Sequence, residues 1–262
     1  MANPFRTMFW DIETSPNICS SWRVGYKIHL SAENIIKERA IICICWKWED
    51  EDELYHLTWD KNQCDKTMLQ KFVKELNKAH LIIGQNSDKF DERWIKTRCI
   101  FHDIPALPKY TSIDTLKIAR KTFNFNSNRL DYMGKFLGVG QKIKTEFDLW
   151  NKIIFNKDAK AMNYMVDYSK QDVILLEQVY KKLQRYAEPK IHKAVALGGD
   201  RWECPHCASE SVRIENTKYS KSGIATTQMI CKSCKRYFNI SEKIRRDYLE
   251  FKLKQERRKH NL

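Results

Sequence analysis

Four cysteines near the end of the chain limit its folding more than any other feature. CPHC (204–207) and CKSC (231–234) form C-x2-C-x23-C-x2-C. Two such knuckles are the spacing of a tetrahedral site in which four thiolates hold one zinc ion. The segment around them is too short to build a sufficient apolar core, so four unligated thiols would leave it without a folding drive. A closed shell of four thiolates leaves no position for water, so this zinc is expected to be structural, with Cys204, Cys207, Cys231 and Cys234 as its ligands. His206, inside the first knuckle, is left out because four sulfurs already complete the shell. Between the knuckles the sequence alternates and turns near Gly223, as a β-hairpin zinc ribbon would.

The other five cysteines (Cys19, Cys43, Cys45, Cys64, Cys99) are scattered and read as buried free thiols. The N-terminal stretch has an acid inside its apolar run, unlike a signal peptide, and no apolar run nears the ~20 residues that span a bilayer. A soluble, cytoplasmic protein is expected (in the host cytoplasm if viral), with no membrane partner. The chain of 262 residues carries a formal net charge of +14. An excess of that size attracts polyanions, nucleic acid foremost. It is unevenly spread: residues 189–262 hold 17 Lys/Arg against 8 Asp/Glu, and residues 1–188 hold 30 against 25.

Strand patterns fall at 5–11, 39–50, 53–60 and 81–86. Helical ones fall at 65–79, 88–101, 112–123, 128–138 and 167–186. Strands first, one strand between helices, then a helical end: the expected class is α/β, a mixed sheet flanked by helices. The expected organisation is a catalytic domain over 1–188, a linker over 189–200, the ribbon over 201–241 and a basic helical tail over 242–262. In that tail Ile244, Tyr248 and Phe251 share one helical face.

The first strand ends oddly, in FWDIET. Residues two apart in a strand point the same way, so Asp11 and Glu13 present adjacent carboxylates. Their repulsion is relieved by a divalent cation. After the strand LIIGQN comes NSDKFD, which puts Asn86 and Asp91 at the carboxyl edge of the sheet, where α/β sites form. On the last helix Tyr168 and Asp172, four apart, share a face. Asp114 is explained as a helix N-terminal acid, Asp131 is expected on an exposed face, and Asp167 points away from the 168/172 face.

In order, D-x-E, N-x3-F-D and Y-x3-D resemble the three motifs of the DEDD exonucleases, tyrosine subclass, on a ribonuclease-H-like fold. The likeness covers about residues 5–187 and is closest to free-standing, phage-type members. It implies a 3′–5′ exonuclease that hydrolyses phosphodiesters with two Mg²⁺ or Mn²⁺ ions about 3.5–4 Å apart. Asp11, Glu13 and Asp172 would hold the nucleophile-side ion, and Asp11 with Asp91 the other. Tyr168 would orient the attacking water, and Thr14 and Asn86 would contact substrate. In the ribbon, basic and aromatic residues including Trp202, Lys235 and Arg236 suit phosphate contact and base stacking. The expected partner is nucleic acid with a free 3′ end, DNA favoured, with replication or repair proteins as further partners. The residues leave open an RNA-directed or structure-specific nuclease on the same fold, a non-catalytic adaptor, and a ribbon that docks protein instead.

Overall fold

The computed structural model describes residues 5–25 and 27–260, the side chains of 259 and 260 excepted. Residues 1–4, Tyr26 and residues 261–262, which belong to the expected catalytic and tail segments, lie outside the described residues. Two compact units emerge, one of Arg6–Ala187 and one that includes Glu188–Leu262. Among the described residues no helix is long and apolar enough to cross a membrane.

The larger unit is built on five strands: β1 (Thr7–Thr14), β4 (Ile41–Trp48), β5 (Leu54–Thr58), β6 (Leu81–Gly84) and β7 (Thr111–Asp114), in the order β5-β4-β1-β6-β7. A two-stranded ribbon, β2 (Ile18–Cys19) with β3 (Ile35–Lys37), lies outside that sheet. β5, β4 and β1 run antiparallel to their neighbours, and β1, β6 and β7 are parallel. Parallel pairing needs crossovers. They are supplied by α1 (Lys66–Leu76), which leads into β6, and α2 (Asp91–Phe101), which leads into β7. The pleat of β1 sends Met8, Trp10 and Ile12 to a core with Phe72 and Ile95 of these helices. Phe9 goes to the opposite core, beneath α6 (Ala159–Leu183), where its ring meets the Tyr180 edge at 5.8 Å. Covered on both faces, β4 is buried at every position, including Lys47, which pairs with Glu177 of α6 at 3.0 Å. Helices α3 (Thr115–Thr122), α4 (Leu130–Phe136) and α5 (Asp148–Ile154) contribute Ala119, Leu130, Met133 and Ile153 to the core beneath α6.

Several boundaries differ from the sequence pattern. β1 continues through Asp11 and Glu13 because its pairing with β4 reaches Thr14. Residues 111–114 are a strand and not the start of a helix: four residues are too few to show a period, and pairing with Leu81–Gly84 decides the matter. α2 starts at Asp91 because Asn86 adopts a left-handed φ of 61° and turns the chain. α6 starts at Ala159, where the Asp158 side chain accepts the N–H groups of Lys160 and Ala161.

One buried ion pair ties the antiparallel half to the crossovers. Asp65, fully buried, accepts from Arg98 Nε and Nη2, both at 2.8 Å, from Ile41 N at 2.9 Å, and meets His102 Nε2 at 2.6 Å. Burial alone would raise its pKa, but Arg98, the Ile41 amide and His102 hold it below the usual carboxylate value. Asp65→Ala leaves Arg98 buried and unpaired, at an expected cost of about 3–5 kcal/mol in urea unfolding. Because the folded-state pKa is depressed, the wild-type contribution is present above the unfolded value of about 3.9 and is lost as pH falls through the folded one. The stability difference between wild type and variant should therefore shrink in acid.

In the smaller unit, β8 (Val212–Tyr219), β9 (Ala225–Cys231) and β10 (Tyr237–Ile240) form an antiparallel sheet in the order β10-β9-β8. Gly223, at φ +76°, takes the turn conformation that side chains disfavour. α8 (Glu242–His260) packs Tyr248, with Ile244 and Phe251 beside it, against Val212, Met229 and Ile240. The stretch expected as a linker contains a short helix, α7 (Lys193–Ala196), whose Ala194 is fully buried. Trp202 is not a nucleic-acid contact: it is 3% exposed, with its ring 4.4 Å from Phe251 and 5.5 Å from Tyr248. In so small a core an indole contributes more by burial than it could at the surface.

Candidate active site and cysteine cluster

β1 pairs with β6 only over Thr7–Phe9, so its last residues run beyond the end of β6 while β4 still holds them on the other side. Asp11 and Glu13 project there towards α6. On α6 the face that carries Tyr168 and Asp172 looks back at β1. One carboxylate oxygen from each of Asp11, Glu13 and Asp172 lies within 4.8 Å of the others. Asp91 approaches from the first turn of α2. It is 3% exposed, and its Oδ1 accepts the Ile12 N–H at 3.2 Å, so it braces β1 beside the converging group. Asp167 is exposed.

Crowding shows in the acid–base properties. Asp11 titrates well above the carboxylate range because of burial, then Asp91, Glu13 and Asp172. Burial, then Asp172, pushes Glu13 up to about 8, and burial raises Asp91 to about 7. Asp172 is also raised by burial, against the pull of Lys142, and its Oδ1 is buried with no hydrogen-bond partner among the described residues. Four acids in this state call for positive charge. The donors are all hard oxygens, which fit a divalent cation of the Mg²⁺ or Mn²⁺ kind.

Two neighbours escaped the motif reading. The Lys142 ammonium pairs with Asp172 Oδ2, donates to the Tyr168 hydroxyl at 3.2 Å, and lies 5.3 Å from that ring's centroid. Burial would lower its pKa, but Asp172, Asp11 and Tyr168 raise it, so it stays charged. Burial and then Asp172 keep the Tyr168 phenol protonated. Ser169 Oγ, fully buried, donates to Asp11 Oδ2 at 3.3 Å. No local pattern marks Lys142. Its loop is placed from afar: Asp131, half-buried, accepts the Lys142 N–H at 2.9 Å. A Cβ on Gly134 would come within 2.7 Å of both the Gly140 carbonyl and Leu175 Cδ1, so only glycine lets the loop approach α6. Asp114 caps α3 through the Leu116 N–H at 2.9 Å and also accepts the Asn86 N–H at 2.8 Å. Asn86 thereby shapes the turn ahead of Asp91, and Thr14 is held by its carbonyl, which accepts from Trp150 Nε1 at 3.1 Å.

In the smaller unit the four cysteine sulfurs lie within 4.8 Å of one another, with Cys204–Cys234 and Cys207–Cys231 Sγ pairs at 3.6 Å. Thiolates about 2.3 Å from a central ion make a tetrahedron with edges of about 3.8 Å, so the cage has the size of a zinc site. Although burial raises the Cys231 thiol, the Cys234 and Ser233 amides bring it down to about 7. His206 lies outside the cage, with Nδ1 2.7 Å from Nη1 of the half-buried Arg236. Lys235 is exposed.

Among curated proteins none matches the sequence. Among solved structures, a family B DNA polymerase from the hyperthermophilic archaeon Pyrobaculum calidifontis superposes with a TM-score of 0.51 at 14% identity, over 83% of this chain. The chain spans 31% of that polymerase, and at this identity the likeness is one of fold. A family model described as RNase_H superfamily matches residues 36–184, which run from β3 through the helix carrying Tyr168 and Asp172. That range is more than half of the chain and contains all the sheet except β1, so the chain belongs to the RNase_H superfamily.

Proposed function

We propose that the chain is a metal-dependent 3′–5′ exonuclease of the tyrosine DEDD type, with DNA as the favoured substrate and a structural zinc in its smaller unit. The observation that carries this is the convergence of Asp11, Glu13 and Asp172, with Tyr168 beside them and Asp91 behind. The resemblance of the three motifs, in their order, supports the polarity, the extended DIETSPN and the insert through WRVGYKIHL support the phage-type affiliation, and the fold likeness to a DNA polymerase favours DNA. Asp11, Glu13, Asp172 and Asp91 would hold two divalent cations. When bound, these neutralise the phosphate and acidify the attacking water.

The chain's own groups do the rest. The protonated Tyr168 hydroxyl is placed to orient a water by hydrogen bonding. Its raised pKa keeps it protonated at neutral pH, so no phenolate is there to take the water's proton. Lys142 fixes the Tyr168 oxygen and balances part of the negative charge.

The test uses 5′-labelled DNA and RNA strands with free or blocked 3′ ends, in Mg²⁺ and in Mn²⁺. A ladder that disappears on 3′ blocking is expected, and a ladder that survives blocking would overturn the polarity. Lys142→Ala is expected to lower kcat about ten- to a hundredfold with a smaller change in KM, as for loss of a transition-state contact. Steady-state kinetics on the same substrate check it, and Lys142→Arg should recover part of the loss.

A further inference from the structure

Within the smaller unit, and among its described residues, the sheet has a second face that α8 does not cover. Ile214, Met229 and Phe238 lie side by side across β8, β9 and β10 and pack into the core with α8. Because successive side chains alternate, the adjoining row of Arg213, Ile230 and Tyr237 points outward. Tyr237 is 53% exposed, Arg213 is exposed and Ile230 half-buried. The next outward row, past the bulge after Ile214, is made of amides: Asn216, Gln228 and Asn239. Lys218 and Thr226 follow towards the hairpin turn. At the other end Arg213, Ile230, Cys231, Lys232 and Lys235 line a shallow depression. Arg213 is engaged by Glu215 at 3.0 Å, whereas Lys218, Lys232 and Lys235 have no carboxylate partner among the described residues.

We propose that this face is a docking platform for single-stranded nucleic acid. It rests on the reading of the chain as a nuclease and gives that enzyme a second hold on its strand, through residues other than Trp202. Charge identifies the ligand as a polyanion, since the three-stranded segment 212–240 holds Arg213, Lys218, Lys221, Lys232, Lys235 and Arg236 against a single acid, Glu215. A phosphate fits the depression between Lys232 and Lys235. Tyr237, beside it, offers a ring to a base, and only an unpaired strand frees a base face for stacking. The amide row can meet base edges with both donors and acceptors. An acidic protein would also use the lysines, but an exposed ring set beside lysines is the arrangement that takes a stacked base and its phosphate together.

The test is fluorescence anisotropy on the full-length chain carrying Asp11→Asn, in buffer without divalent cations. The probes are labelled oligothymidylate, oligouridylate, a blunt duplex and a polyglutamate peptide. Tyr237→Ala should weaken binding of the single strands about tenfold or more, while Tyr237→Phe keeps it within about twofold. Lys232→Ala with Lys235→Ala should lower the slope of log affinity against log salt by about 1.4. Zinc content and near-ultraviolet dichroism verify that each variant is folded. Unchanged affinity and slope in these variants, or tighter binding of duplex or polyglutamate than of either single strand, overturns the platform while leaving cleavage by the wild-type chain as it is. If affinities shift as stated but the wild type cleaves nothing, the platform stands and the nuclease reading fails.

Discussion

Asp11→Asn is expected to lower Mg²⁺-dependent cleavage by about a thousandfold or more, with no loss of stability in metal-free buffer. Both halves follow from the crowding at the end of β1. Losing one charged ligand from a site that grips a transferring phosphate removes several kcal/mol of transition-state stabilisation, and about 1.4 kcal/mol is a factor of ten. The same charge is a burden to the empty fold. Asp11 titrates above its ordinary value because burial and three neighbouring acids oppose ionisation. A carboxylate whose folded-state pKa is raised above the unfolded one opposes folding at neutral pH, so the near-isosteric amide should leave the melting temperature equal or higher. Adding Mg²⁺ should then raise the melting temperature of the wild type more than that of the variant, since a ligand bound only by the native state stabilises it. Thermal melts with and without the ion, run beside the 5′-labelled strand assay, read the two effects separately. Wild-type cleavage by the variant would remove Asp11 from the site.

The second large effect is expected from Cys231→Ser, which should abolish binding of the proposed structural zinc and unfold the smaller unit while the larger one persists. The core of the smaller unit is small: Trp202, Val212, Met229, Ile240 and Tyr248 are buried with Cys204 and Cys231, edged by the partly buried Ile214, Phe238, Ile244 and Phe251. Structural zinc contributes about 10–16 kcal/mol of apparent binding free energy in modules of this kind, more than so small a core can replace. The larger unit has its own two cores on either face of a five-stranded sheet. Limited proteolysis should therefore leave a resistant fragment close to Arg6–Ala187, and metal analysis should find the zinc lost. A variant whose smaller unit stays protease-resistant without zinc would show that the cysteines are not its main support.

How much of the site was legible depended on how local each relation is. Asp11 and Glu13 share a face because a strand alternates every residue, and Tyr168 and Asp172 because a helix turns about every 3.6. Neither fact needs the rest of the chain. β7 was misread as helix because four residues carry no usable period, and its pairing with β6 settles it. Trp202 was misread for a related reason. An aromatic among basic residues suits a binding surface, but α8 returns to place Tyr248 and Phe251 against its ring.

The sequence by itself determined the four-sulfur spacing, the α/β class and the two pairs that share a local face, Asp11 with Glu13 and Tyr168 with Asp172, since backbone geometry alone sets those periods. Only the tertiary structure brought Asp172 of α6 to the end of β1 and lodged Lys142 between Asp172 and Tyr168. It also set Asp91 behind the converging group, on the Ile12 amide. These proximities join residues far apart in the chain. They follow from where β6 stops pairing with β1, from the burial of α6 against the sheet, and from a loop packed over Gly134. No window of neighbouring residues encodes them.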